Sequence, residues 1–149
     1  MLTRPVSRGR VIMGRLPKGA DLLESLTRLC VNENIQLGDI RAIGAVQRAR
    51  VGFYDQQKRT YSYLEFDRPH EIISLAGNVS LKDGQPFVHA HIGLMAEDGR
   101  MAGGHLAEGT VVFACEYVIT ELLHEKDSGF ERVFDEDTGL FLWPGEKRG

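Results

Sequence analysis

Apolar and polar residues recur along this chain with two different periods, and each period predicts a type of element. Residues 1–7 form a polar lead, and an apolar run near Val11 predicts a first strand. Asp21, followed by Glu24, has the form of a capping box at the start of a helix that is expected to end near Asn34. Within this helix, apolar residues recur at helical spacing at Leu22, Leu23, Leu26, Leu29 and Cys30. The pattern therefore predicts one amphipathic helix that covers a sheet.

From Gly38 onward, the apolar residues follow the two-residue period of strands. Residues 40–45 and 50–54 predict two strands, and residues 60–66 predict a third with almost perfect alternation. Residues 71–81 are almost continuously apolar, which is typical of a strand covered on both faces. This part of the chain is thus expected to form a β-sheet.

A β-hairpin is predicted next. Residues 87–94 form its first strand, Glu97-Asp98-Gly99 supplies the turn, and residues 101–105 return beside the first strand. Residues 110–122 are rich in β-branched side chains and predict a long strand that is central in the sheet or lies in a subunit interface.

These elements predict a fold of the α+β class, in which a mostly antiparallel sheet is covered by one main helix. A chain of 149 residues fits one domain, here residues 1–149. The core is expected over about residues 8–123. A C-terminal extension over residues 126–145 begins with a polar break at residues 126–129 and folds back as a hairpin within residues 130–143.

Three histidines of the predicted hairpin are candidate metal ligands. His89 and His91 share one face of a strand and lie roughly 6.5 Å apart between Cα atoms. His105 is expected on the returning strand near their height, so three imidazoles can converge on one zinc ion. Gly103 and Gly104 remove two side chains and let backbone or a ligand approach closely. The spacing permits an open metal site, but it equally fits histidines that only make surface hydrogen bonds.

Other candidate residues have plainer interpretations. His70 and His124 have no such neighbours in the sequence and are interpreted as solvated or hydrogen-bonded. Tyr54, Tyr61 and Tyr63 form an aromatic patch that fits either a partner or ligand, or the edge of a sheet or a subunit contact.

Composition and charge narrow the classes of function. The net charge of −3 argues against broad binding to nucleic acid phosphates, which depends on clustered Lys and Arg. Cys30 and Cys115 lie in apolar segments and are interpreted as buried hydrophobic residues, not as a disulfide or a metal pair. No stretch approaches the about 20 apolar residues that span a bilayer. We therefore expect no membrane association and a cytoplasmic location.

Several blocks of the sequence resemble the PPC domain, the plant and prokaryote conserved domain also called DUF296. The resemblance covers roughly residues 8–123, and its blocks occur in the order expected for that family. They are GRLPKGADLLESL at 14–26, EIISLAG at 71–77, PFVHAH at 86–91, DGR at 98–100 and GGHL at 103–106.

The resemblance is to the microbial single-domain branch. An AT-hook carries Arg-Gly-Arg-Pro, whereas Val11 follows Arg8-Gly9-Arg10 here, so the hook is missing and a first strand is expected instead. Only the second half of the plant Gly-Arg-Phe-Glu-Ile-Leu hexapeptide matches residues 68–73. The resemblance implies a homotrimer and a metal ion held by His89, His91 and His105. It also implies the family's description as DNA-binding.

Two functions follow as hypotheses. The first is a metal-binding homotrimeric PPC-domain protein that acts as a DNA-binding or regulatory module, with a divalent metal, zinc by preference. The alternative is a zinc-dependent enzyme, or a protein that binds a small anionic ligand, at the open three-histidine site. No general base is identifiable from the sequence, so the hypothesis that this is an enzyme stays open. A scaffold whose histidines bind nothing is the third interpretation.

Overall fold

A computed structural model describes residues 3–124 and 130–145. Within these ranges the chain forms nine strands and one α-helix, in the α+β arrangement predicted from the sequence. In chain order the elements are β1 Ser7–Leu16, α1 Leu22–Asn32, β2 Gly38–Asp55, β3 Thr60–Phe66, β4 His70–Lys82, β5 Gln85–Met95, β6 Met101–Leu106, β7 Val111–Leu123, β8 Val133–Asp135 and β9 Leu140–Leu142.

Seven strands form one antiparallel sheet in the order β1-β7-β2-β4-β5-β6, with β3 paired to β2. The long strand β2 pairs with β4 from Gly38 to Val46, and with β6 at Val51 and Gly52. Because β2 therefore meets both ends of the β4-β5-β6 segment, these four strands close into a ring of hydrogen-bonded strands. The strand β7 is central, between β1 and β2, which is one of the two positions predicted for it.

Strand β2 corrects one prediction. Residues 40–45 and 50–54 were expected to be two strands, but they belong to one strand of 18 residues. Its register with β7 shifts between Ala45 and Val46 and again between Val46 and Arg48. Such bulges place successive polar residues on the exposed side and interrupt the alternation without ending the strand. The alternation of apolar and polar residues is therefore interrupted at a point where the strand itself continues.

Strand β4 corrects a second prediction, because within one chain it is not covered on both faces. Ile72, Leu75 and Val79 are buried, whereas Ile73 is 47% exposed. One face of this apolar strand packs on the core, and the other is open to solvent at Ile73 but covered at Ser80, which is fully buried.

Helix α1 covers the core side of the sheet. Asp21 caps it as predicted, because its Oδ1 accepts a hydrogen bond from the Glu24 amide at 3.0 Å. The Glu24 carboxylate itself lies 3.6 Å from the Arg28 guanidinium, in the helical i, i+4 arrangement. Leu22 and Leu26 of the predicted apolar stripe are fully buried and belong to the central hydrophobic cluster.

Strands β8 and β9 pair as a small hairpin, and a hairpin was predicted within residues 130–143. The predicted polar break at residues 126–129 lies outside the described residues. The hairpin is attached to the main sheet by Arg132, whose amide donates to the Leu81 carbonyl at 2.7 Å. The Glu131 carboxylate adds a second attachment by accepting from the Gly84 amide at 2.9 Å.

Both cysteines are buried and free, as expected. Burial raises the pKa of the Cys30 thiol to about 12 and that of the Cys115 thiol to about 11. Among the described residues, no helix has the length and apolar character needed to cross a membrane.

Candidate metal centre

The hairpin of β5 and β6 has the register that the sequence predicts. The Gly99 amide donates to the Ala96 carbonyl, and Gly99 takes the positive φ of 80° that the turn requires. From this turn the pairing runs back until His91 lies directly opposite His105. The returning strand thus brings His105 to the height of the His89 and His91 pair.

The three predicted histidines lie together on one face of the sheet. Their ring centroids are 5.0 Å apart for His89 and His105, 5.4 Å for His89 and His91, and 5.5 Å for His91 and His105. One nitrogen from each ring lies within 4.8 Å of the others. Bonds of 2.0–2.1 Å to a tetrahedral zinc ion put ligand atoms about 3.3 Å apart, so small side-chain rotations are sufficient. The set fits a metal, and the assignment of these residues as ligands stays a prediction.

The chemical state of these rings also fits a metal. The Nδ1 atom of His105 is buried and has no hydrogen-bond partner among the described residues. Burial, together with the charges of His105, Arg132 and His91, lowers the pKa of His89 to about 4. Burial and the charges of His91 and Arg132 also lower the pKa of His105. Rings held neutral in this way offer the nitrogen lone pairs that a metal needs.

The glycine pair has a packing role in the structure. A Cβ at Gly103 would meet the Ile92 carbonyl oxygen, and a Cβ at Gly104 would lie 2.7 Å from the Gly52 carbonyl oxygen. Both positions therefore allow neighbouring backbones to approach closely. A ligand approach over Gly103 and Gly104 stays a prediction.

The tyrosine patch lies beside the histidines, which the sequence did not indicate. The Tyr61 ring is 5.2 Å from the His105 ring and 5.0 Å from the Tyr54 ring. Gly52 lies opposite both His105 and Tyr63 in the sheet, and a Cβ there would meet the Tyr61 ring at 3.0 Å. The absence of a side chain at Gly52 lets the tyrosine rings pack next to the candidate centre.

Arg132 is the main residue near the site that sequence reasoning missed. It is 7% exposed, and it donates from Nε to Ser80 Oγ at 2.9 Å and from Nη2 to Asn78 Oδ1 at 2.8 Å. Asn78 lies directly opposite His89 in the β4–β5 pairing, on the histidine face. No local signal connects residue 132 with this face, because only the folded C-terminal hairpin brings it there.

A groove of about 620 Å³ lies between α1 and the sheet and reaches His105 of the cluster. Its wall includes His105, Phe87 and Tyr63, and the Arg50 guanidinium lies over the Tyr63 ring at 3.7 Å. The helix contributes apolar residues, among them Leu23. A volume of this size is typical of small-molecule sites.

The other two histidines lie elsewhere, as expected. His70 is 8% exposed, and its Nδ1 atom is 2.8 Å from the Arg68 carbonyl oxygen, so its interpretation as a hydrogen-bonded histidine is confirmed. The His124 ring packs against Phe130 at 5.8 Å. The group of possible metal ligands found among the described residues contains neither of them.

The fold and the site together describe a small β-rich domain with a cluster of imidazoles on one sheet face. The sequence model of the Plants and Prokaryotes Conserved (PCC) domain family matches residues 3–123. The chain therefore belongs to this family. The resemblance drawn from the sequence blocks is therefore confirmed, and the extent of a single domain over residues 1–149 stays a prediction.

Solved structures of the same fold come from archaea and bacteria. A metal-containing protein from Archaeoglobus fulgidus is 43% identical, with a TM-score of 0.89 over 97% of this chain and 100% of that one. A plant- and prokaryote-conserved (PPC) protein from Pyrococcus horikoshii is 40% identical, with a TM-score of 0.90 over 99% of each chain. A candidate DNA-binding protein from Ralstonia eutropha is 25% identical, with a TM-score of 0.75 over 87% of this chain and 88% of that one.

One curated relative is a much longer protein. The chain is 33% identical to the bifunctional protein GlmU of a Synechococcus strain over 137 residues, which are 91% of this chain. The match spans only 20% of that relative. The similarity therefore concerns one part of GlmU.

Proposed function

We propose that this protein binds a divalent metal ion, zinc by preference, through His89, His91 and His105. The observation that carries the proposal is the convergence of three imidazole nitrogens to within 4.8 Å on one sheet face. The buried Nδ1 atom of His105, which lacks a partner among residues 3–124 and 130–145, supports it. So does the metal-containing protein of the same fold at 43% identity.

Zinc is preferred because neutral imidazoles suit it and because three protein ligands match its open, four-coordinate sites. When bound, such an ion acts as a Lewis acid and can hold an anion or a water molecule at its fourth position. The protein residues hold the three rings in place: the β5–β6 register aligns His91 with His105, and Tyr61 packs against the His105 ring.

Metal analysis of protein purified without a histidine tag tests the proposal. We expect about one equivalent of divalent metal per chain, lost on dialysis against a chelator and restored by zinc. A protein that contains no metal as purified and takes up none from added zinc would contradict it.

The same proposal includes a homotrimer. Large apolar side chains are exposed on strands of the single chain, and covering them is the ordinary reason for subunit association. These exposed residues are Met13, Ile43, Phe53, Leu64, Ile73, Met101 and Phe113. An assembly would also cover the open face of the apolar strand β4.

Substitution of Phe53 tests the assembly. This side chain is 68% exposed near the end of β2, and an interface there would be destabilised by a buried charge. We expect Phe53→Asp to convert a trimer into monomers in light scattering coupled to gel filtration, and Phe53→Leu to leave the trimer intact. Wild-type protein that elutes as a monomer at all concentrations would contradict the proposal.

We propose a regulatory or ligand-binding role for the metal-bound protein, with DNA contact as a secondary possibility. The candidate DNA-binding protein of the same fold supports the latter. The net charge of −3 opposes it, and Arg10 in β1 is already paired with Glu121 at 2.8 Å. A gel-shift titration of duplex DNA tests it, and retention at near-physiological salt would establish DNA contact.

A zinc-dependent enzyme is the alternative. The groove beside His105 favours it, because it would bring a small molecule next to the metal. Turnover that disappears on chelation while the assembly persists would distinguish this alternative from a binding protein. Ligand binding without any turnover would favour the regulatory role.

A further inference from the structure

Arg132 is a buried cation without a carboxylate partner among the described residues. It is 7% exposed, and its side-chain hydrogen bonds go to the neutral acceptors Ser80 Oγ, Asn78 Oδ1 and the Phe141 carbonyl oxygen. A guanidinium has five N–H donors, so one N–H on each terminal nitrogen is still available. Burying such a charge is costly unless an anion compensates it.

The guanidinium lies next to the candidate metal centre. Its partner Asn78 is directly opposite His89, and its Cζ atom lies 5.3 Å from the centre of the Phe87 ring. A second cation, Lys82, lies with its Nζ atom 3.9 Å from the Phe141 ring and 5.6 Å from the Phe87 ring.

The groove adjoins this Phe87 ring, although Arg132 itself is not part of its wall. Phe87 and His105 both belong to its wall, and the Val88, Leu106 and Leu23 side chains give it apolar surface. Among the charged residues of the wall, Arg28 pairs with Glu24 at 3.6 Å and Arg50 pairs with Glu65 at 3.5 Å, and Glu108 adds a carboxylate. Arg132 lies outside this wall, and it is the buried positive charge near the histidines that has no carboxylate partner among the described residues.

We propose that Arg132 selects the ligand of the metal centre, and that this ligand is a small organic carboxylate whose apolar part lies in the groove. The carboxylate takes the open position of the metal and accepts hydrogen bonds from the free N–H groups of Arg132. This inference rests on the proposed metal-binding function, and it adds the chemical class of the ligand and the residue that recognises it.

Cobalt(II) in place of zinc provides a direct test, because its visible absorption changes when an anion enters its coordination sphere. The cobalt-loaded full chain is titrated with acetate, with hexanoate and with inorganic phosphate. We expect a spectral change with both carboxylates and at least about tenfold tighter binding of hexanoate, because each buried methylene is worth up to about fourfold in affinity. Phosphate that binds more tightly than hexanoate would contradict the proposed class.

Two variants remove the charge of Arg132 in different ways. Arg132→Gln deletes it, and Asn78→Asp neutralises it with a carboxylate at the position of the present 2.8 Å hydrogen bond, so that the hairpin keeps its anchor. We expect each variant to bind hexanoate at least about tenfold more weakly while it retains one cobalt ion, because hydrogen bonds between charged groups are worth this much. If Arg132→Gln fails to fold, Asn78→Asp decides the question.

Two further variants serve as controls for charge and for the groove. Arg100→Gln removes an exposed arginine that is paired with Asp98 and should leave hexanoate binding within about twofold. Thr27→Phe narrows the groove and should remove the preference for hexanoate over acetate.

The outcomes separate this inference from the proposed function. A protein that binds no cobalt contradicts both. A protein that binds cobalt but responds to no anion, or whose Asn78→Asp variant binds hexanoate as the wild type does, overturns the inference and leaves the metal site standing.

Discussion

Replacing His89 by alanine is expected to abolish the proposed metal binding while the fold remains. The His89 ring is within 5.0 Å of the His105 ring and 5.4 Å of the His91 ring, so it supplies one of three converging donors. Loss of a hydrogen-bonded outer partner of a metal ligand costs about 10–100-fold in affinity, and loss of a ligand itself should cost more. Titration with a zinc indicator should therefore show at least about 100-fold weaker binding, with an unchanged circular dichroism spectrum.

His124→Ala is the matched control, because this histidine packs against Phe130 and does not belong to the cluster. It should retain wild-type metal content. A His89→Ala variant that binds zinc as tightly as the wild type would refute the three-histidine site. A variant that unfolds would instead assign the metal a structural role, as in small domains that fold only with their ion.

Replacing Gly44 by alanine will destabilise the fold strongly. Gly44 lies in β2 with φ at 142°, and a Cβ there would meet the Ala114 carbonyl oxygen and lie 2.9 Å from the Cys115 Cα. The backbone conformation and the overlap with β7 are each worth about 1–3 kcal/mol. Urea denaturation should show that the free energy of unfolding falls by about 3 kcal/mol or more.

Gly19→Ala separates the two contributions. Gly19 also has positive φ, at 85°, but a Cβ there meets nothing within 4 Å. The free energy of unfolding of Gly19→Ala should fall by about 1–2 kcal/mol, which is the cost of the backbone conformation alone. Equal losses in the two variants would show that the overlap with β7 is relieved and that our account of Gly44 is wrong.

The candidate site was largely predictable because its geometry is local. The two-residue period of β5 puts His89 and His91 on one face, and the Asp98-Gly99 turn fixes the register of the returning strand. A sequence that specifies both the period and the turn also specifies which residues face each other. The position of His105 opposite His91 follows from these two features.

Other features could not be predicted because they depend on contacts between distant segments. Arg132 reaches Asn78 and Ser80 only after the C-terminal hairpin has docked on β4. Likewise, Tyr61 meets His105 because β2 pairs with both β3 and β6. Neither contact leaves a periodic signal in the sequence.

The fold likewise combines local features that the sequence predicts with features that it does not predict. The helix and its Asp21 cap were predictable from spacing, whereas the continuity of β2 was not. The register shifts near Val46 alter the side-chain period locally, and a shift of period resembles a loop when only the sequence is available. The exposure of Ile73 was likewise not predictable, because an apolar sequence does not tell which face of a strand is covered within one chain.

The ring formed by β2, β4, β5 and β6 determines how the candidate centre can exchange its ion. The hairpin that carries the histidines is hydrogen-bonded on one side to β4 and on the other to β2. It therefore cannot swing away as a flap without rupture of pairings on two sides. An ion bound at the candidate centre would therefore enter and leave while this backbone stays in place, so the amide protons of β5 should exchange with solvent equally slowly in apo and loaded protein.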